Sequence, residues 1–343
     1  MPPVFDDSRL DDEAALAEAD ATFRSLAEAG ARVRREVGEV AEAVDRAVAT
    51  AAGDFRPRAV VAAGPDSRLL RSVLEPWCPV PFVAWPGPSL PGWAGALDLV
   101  VVLAPEGSDT GSASAVAEAL RRGCQVAVAC PPRSLVEQHA AGRDSTVLPC
   151  ASGDQLATAV AMLQLLNRLG LGPAAEPESV AQALDDVAIA CSPHRDLAVN
   201  PAKMLAIALA DATPLVWGGS VLAARAARRV AESLRRASGR TALAGDAEHL
   251  LPVVAASPVP DVFADPFDDD GDGDRQPALV VLDDGADGAT IREHRGRLVT
   301  AAREHRVRVE TVSSDAPTDL ARYAALLSTG TYAAGYLGVA LAR

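Results

Sequence analysis

Lysine is almost missing from this chain: among 32 basic residues Lys203 is the only lysine, so chemistry that needs a lysine amine has a single candidate. The excess of arginine reads as a coding preference rather than a functional signal. Cysteine is scarce and unpatterned. Cys78, Cys124, Cys130, Cys150 and Cys191 are odd in number, widely spaced and free of any C-x-x-C, which describes small buried hydrophobes in a reducing compartment. His139, His194, His294 and His305 show no ligand spacing with cysteine or with one another, so no metal is expected. No apolar run reaches the ~18 residues that a membrane span needs. The opening Met1-Pro-Pro-Val-Phe-Asp-Asp has no secretion-signal core, and a cytoplasmic protein without a membrane partner is expected. Positive charge is also lacking. A net charge of −14 argues against nucleic acid, whose phosphates reward clustered Lys and Arg. An anionic small ligand stays open, because a local site can be positive on an acidic protein. There is no Walker sequence, no G-x-G-x-x-G and no G-x-S-x-G, and no cofactor is expected.

What is present is a chain of 343 residues, 49% hydrophobic and 23% charged, enough for two domains or one large one. Two strand–turn–helix units stand in its first half. One runs from Arg58-Ala-Val-Val-Ala-Ala-Gly64 through Pro65-Asp66-Ser67 into an amphipathic stretch ending at Leu74. The other runs from Leu97-Asp-Leu-Val-Val-Val-Leu-Ala104 through Pro105-Glu-Gly-Ser-Asp-Thr-Gly-Ser-Ala-Ser114 into Ala115–Cys124. A buried strand, a hydroxyl-rich loop and a helix start are the parts of an anion site, since free N–H groups of the first turn can hold a phosphate. The same serines can equally serve as plain helix caps.

Along the chain, residues 9–52 read as two helices broken near Gly30, the second with Val33, Val37, Val40, Val44 and Val48 on one face. Strands are expected at 59–63, 80–84, 99–103, 125–130 and 145–148. Helices alternate with them at 67–74, 112–122, 134–140 and 154–169. After a Gly/Pro-rich break at 170–178 and a helix at 177–191, the pattern restarts. Helices are expected at 201–210, 221–237, 290–304 and 320–342, with strands at 213–218, 278–283 and 308–312. Such alternation implies an α/β fold of two domains, each a mostly parallel sheet flanked by helices on both faces. The expected division is a helical segment over 1–54, a domain over 55–170, a linker and helix over 171–200, and a second domain over 201–343. The last helix is expected to pack against the first domain. The acidic run Asp268–Asp274 contains D-x-D-x-D-G, but Leu279 stands where a calcium loop needs Glu; a solvated insertion is the simpler reading.

The domain order is joined by short matches: Leu99–Ala104 leading into Gly107-Ser108, Asn200-Pro-Ala-Lys-Met-Leu-Ala206, Val216-Trp-Gly-Gly-Ser220 followed by Arg228, and Tyr336-Leu337. With these residues the chain, over about 55–343, resembles the sugar isomerase (SIS) fold in tandem. It is most similar to the bacterial and archaeal bifunctional phosphoglucose/phosphomannose isomerases and their actinobacterial relatives. The resemblance implies a phosphorylated sugar bound between two SIS domains, a homodimer, and aldose–ketose isomerisation through ring opening and a cis-enediol. It assigns phosphate-holding hydroxyls to Ser67, Ser108, Thr110, Ser112 and Ser220, with Arg228 beside them. Glu248 and His249, in the family's Pro-Glu-Leu-Asn-His-Asn-Glu position, become the acid/base pair. The departures are specific. Glu106 and Asp109 replace a serine and a threonine, Arg235 falls where the family's base stands, and Asp154-Gln155 replaces a Pro-Arg pair. Three functions follow: a glucose or mannose 6-phosphate isomerase, a phosphosugar-binding regulator derived from one, or a dimeric scaffold without a ligand.

Overall fold

The structure is a computed structural model, and it describes residues 4–51, 56–142, 145–257 and 275–342. The acidic run 268–274 lies outside the described residues. The chain divides into two compact units, Ala29–Gln182 and a second made from Met1–Glu28 with Ala183–Arg343. Each is an α/β domain on a parallel sheet, the class expected from the alternating pattern.

In Ala29–Gln182 the sheet order is β2-β1-β3-β4-β5, with β1 at Val60–Ala63, β2 at Phe82–Trp85, β3 at Leu99–Leu103, β4 at Gln125–Cys130 and β5 at Ser145–Pro149. Every pairing is parallel. Central β3 is buried at all its positions, which is why Leu-Val-Val-Val-Leu carries no polar alternation. Two of the helices between the strands start on side-chain caps: Asp109 Oδ1 accepts from Ser112 N at 2.6 Å, and Ser134 Oγ accepts from Glu137 N at 3.2 Å. Helix Ala29–Thr50 lies against helix Gln155–Arg168 and β5. Val33, Val40 and Val44 of its apolar face are buried, each worth about 1.5–3 kcal/mol relative to exposure. Val37 and Val48 are half-buried, and the charged Glu36 is buried on the same side.

The other unit carries the sheet β7-β6-β8-β9, with β6 at Thr213–Gly218, β7 at Leu243–Ala244, β8 at Pro277–Asp283 and β9 at Arg308–Ser313, again all parallel. Helix Asp319–Leu341 runs through its core. It is long and apolar enough to cross a membrane, yet 78% of its apolar window is buried inside the protein. Within its own unit this helix packs on helices Pro201–Ala208 and Val221–Ser238. Small residues allow that approach, since a Cβ on Gly330 would stand 2.3 Å from Val230 Cγ2.

The N-terminal helices Glu13–Glu18 and Asp20–Ala27 belong to this second unit. Phe23 is buried with its ring 4.5 Å from that of Tyr336 and 6.1 Å from that of Tyr332. Asp6 N donates to Ala340 O at 3.0 Å and Arg9 Nε to Val339 O at 2.9 Å. Lys203 is fully buried: its Nζ donates to Asp11 Oδ1 at 2.6 Å and to the carbonyls of Pro193 and Arg195 at 3.0 Å each. An ammonium has three protons to give, and these acceptors use them all, one of them tying down the N-terminal segment at Asp11.

Candidate functional site

Parallel sheets meet ligands at the carboxyl ends of their strands, where turns enter helices whose first N–H groups are free. In Ala29–Gln182 that end is built by three turns. After β1, Gly64 takes φ +87°, and a Cβ there would sit 2.8 Å from Ser112 Oγ, so the turn needs glycine for both conformation and room. Ser67 opens helix Ser67–Leu74; it is fully buried and its hydroxyl has no hydrogen-bond partner among the described residues. Buried hydroxyls are normally bonded, so this one stands out among the side chains of the turn. Asp66, the residue before this helix, makes no cap bond to it.

After β3, Gly107 is left-handed at φ +69° and a Cβ would strike Ser134 Cβ at 2.4 Å. Ser108 and Thr110 are exposed on the turn, whereas Ser112 points inward and is buried. The Asp109 carboxylate caps helix Thr110–Arg121. Its carboxyl is held below the usual range by the neighbouring Ser112 hydroxyl and by the N–H groups of Ser112 and Gly111. A negative charge of the protein's own therefore stands where a bound anion would. After β5, Asp154 Oδ1 caps helix Gln155–Arg168 through Leu156 N at 2.8 Å and Ala157 N at 3.0 Å. Its Oδ2 lies 2.8 Å from Arg32 Nη2. Gln155 Nε2 donates to Asp66 Oδ1, joining the third turn to the first. Ser67 and Ser112 thus belong to one cluster of turns, with Ser108 and Thr110 on its exposed side. A groove of about 1010 Å³ lies elsewhere in this unit, reaching the amino-terminal residues Leu99, Gln125 and Ser145 of β3–β5.

In the second unit β6 ends in Trp217-Gly218-Gly219-Ser220. A Cβ on Gly218 would meet the Ala223 backbone at 2.3 Å, so glycine lets the helix start close to the strand. Ser220 Oγ accepts from Ala223 N at 3.0 Å and donates to Asp284 Oδ2, a buried carboxylate at the end of β8. Here too a carboxylate of the protein sits at the start of a helix. Glu248 and His249 lie on helix Ala247–Ala255, both exposed. As neighbours on a helix they diverge by about 100° around its axis. Glu248 Oε1 is 2.6 Å from Arg297 Nη1, and that guanidinium holds its carboxyl below the usual range. Arg228 is exposed, with Nη2 3.7 Å from Asp246 Oδ1 at the start of the Glu248–His249 helix. Arg235, in the position of the family's base, donates to Ala242 O at 2.7 Å.

Sequence reasoning misses Arg32, Glu36, Asp66 and Asp284. Glu36 has a signal, a charged residue beside the valine stripe, but nothing in a sequence tells which loop such a charge will meet. Among the described residues no group of three or more His, Cys, Asp or Glu is placed to hold a metal ion.

Residues 198–342 match the family model of the bacterial phospho-glucose isomerase C-terminal SIS domain. No curated protein matches the chain in sequence. Solved structures are similar in fold. Tagatose-6-phosphate ketose/aldose isomerase from Escherichia coli has TM-score 0.62 at 14% identity, over 97% of this chain and 93% of that one. A glucose-6-phosphate isomerase like protein from Thermus thermophilus has TM-score 0.52 at 19% identity, over 84% and 82%. The C-terminal domain of glucosamine-fructose-6-phosphate aminotransferase from Francisella tularensis has TM-score 0.57 at 12% identity, over 90% and 95%.

Proposed function

We propose that this chain is a member of the phosphoglucose isomerase-like family of the SIS fold and binds a phosphorylated hexose, glucose or mannose 6-phosphate, at the carboxyl ends of its parallel strands. The match over residues 198–342 carries the reading. The Gly64–Ser67 turn supports it, with a buried hydroxyl that lacks a partner. Ser67, Ser108, Thr110 and Ser112 would serve the ligand in one domain, Ser220 and Arg228 in the other.

As an isomerase the protein would open the sugar ring and move one proton between C2 and C1 through a cis-enediol. Of the pair Glu248–His249, the imidazole is the better carrier. The Arg297 guanidinium holds the Glu248 carboxyl below its usual range and so makes it the weaker base of the two. A second reading, a phosphosugar-binding regulator without turnover, is favoured by the carboxylates of Asp109 and Asp284 at two helix starts. A cytoplasmic homodimer belongs to both readings.

Calorimetry with glucose 6-phosphate and mannose 6-phosphate, beside a coupled isomerase assay, tests them. The expected result is binding with turnover, and His249→Ala lowers kcat by roughly 10²-fold or more. Binding without turnover selects the regulator. Neither binding nor turnover rejects the sugar-phosphate reading and leaves the scaffold.

A further inference from the structure

The Gly64–Ser67 turn is closed by backbone hydrogen bonds, Ser67 N donating to Gly64 O at 3.2 Å and Leu69 N to Asp66 O at 3.3 Å, but its side chains add little to it. Gly64 is left-handed, the Asp66 side chain makes no cap bond to the helix it precedes, and the Ser67 hydroxyl has no partner among the described residues. A contact from 89 positions away reaches it, Gln155 Nε2 donating to Asp66 Oδ1. Gln155 is itself the first residue of helix Gln155–Arg168, and the loop that delivers it is fixed from helix Ala29–Thr50. The buried Glu36 carboxylate accepts from Ala151 N at 3.2 Å and from Ser152 N. One helical turn away on the same face, Arg32 pairs with Asp154, the cap residue immediately before Gln155. Backbone, cap and amide are thereby linked in one chain of contacts from the N-terminal helix to the ligand turn.

We infer that Gln155 is a positioning residue for the ligand turn, held in place by Arg32 and Glu36 of helix Ala29–Thr50, and that this helix is part of the sugar-phosphate site of the first domain. The inference rests on the sugar-phosphate reading above. Gln155 acts in two ways through Asp66. It fixes the turn that carries Ser67, and its amide N–H disperses charge on the carboxylate one residue before Ser67. Both effects act on binding rather than on the proton transfer, so they move KM and Kd and leave kcat in place.

The test measures glucose 6-phosphate binding by calorimetry, and amide exchange at Leu69 and Leu70 in the ligand-free protein. The variants are Gln155→Ala and the swapped pair Asp66→Asn with Gln155→Glu. Removing the amide should weaken binding about 10-fold, the loss of one charge-assisted hydrogen bond. It should also speed exchange in the first turn of helix Ser67–Leu74 with little change in Tm. The swapped pair, which rebuilds the hydrogen bond with donor and acceptor exchanged, should restore slow exchange and most of the affinity. Wild-type affinity in Gln155→Ala, or unchanged exchange, overturns the inference while leaving the sugar-phosphate reading intact. A swapped pair that restores neither property overturns it as well. If the wild type binds no sugar phosphate, the functional reading falls and takes the inference with it, whatever exchange shows.

Discussion

At the scale of single residues, the site differs from an ordinary phosphate cradle by where its negative charge sits. Asp109 is the clearest case. Its carboxylate serves helix Thr110–Arg121 as a cap, and its acidity is strengthened by the Ser112 hydroxyl and nearby N–H groups. A folded carboxyl held below its ordinary value contributes stability that is full above the unfolded pKa and is lost as pH falls through the folded one. The cap is therefore charged throughout the neutral range, in competition with any bound anion. Replacing it with threonine keeps a capping oxygen and removes the charge. The double variant Glu106→Ser with Asp109→Thr should bind glucose 6-phosphate several-fold more tightly than the wild type, with the gain shrinking as salt is raised. Equal affinity in calorimetry at low salt would mean that these carboxylates do not face the phosphate.

Among the elements, legibility follows local physics. β3, β4 and β6 are legible to the residue from unbroken apolar runs, and helix Ser67–Leu74 from its steep amphipathic pattern. Helix Ala247–Ala255 escapes the sequence pattern, because Pro252 lies inside it. β7 has only Leu243 and Ala244, too short to leave a pattern. What a sequence stripe withholds is the identity of the surface that covers it. Phe23 shows this: periodicity says that it is buried, but only the fold supplies Tyr332 and Tyr336 as its partners. The candidate site follows the same rule. Its serines are visible in the strand–turn–helix pattern, whereas Arg32 and Glu36 meet the loop before Gln155, and Gln155 meets Asp66, only through contacts across 89 to 122 positions. Phe23→Ala should cost about 3–5 kcal/mol of unfolding free energy in the second unit, measured by denaturant titration, because it empties a buried aromatic contact. A loss under about 1 kcal/mol, the size of an ordinary surface change, would show that residues 20–27 contribute little to that core.

At the scale of the molecule, an acidic chain presents two parallel sheets whose carboxyl ends both place carboxylates at helix starts, Asp109 in one and Asp284 in the other. In both units, therefore, a charge of the protein's own stands where the proposed sugar phosphate would approach. Assembly is tested independently of ligand. Light scattering should give twice the chain mass of 35.4 kDa at micromolar concentration, and a concentration-independent monomer would remove the homodimer from the proposal.

The buried Lys203 has a practical consequence. With every other cationic side chain an arginine or a histidine, an amine-selective acylating reagent has one lysine to find, and in the native state that amine is sealed beneath Asp11 and two carbonyls. Acylation at Lys203, followed by mass spectrometry, thus becomes a built-in clock for the moment the N-terminal segment lifts from the domain it covers.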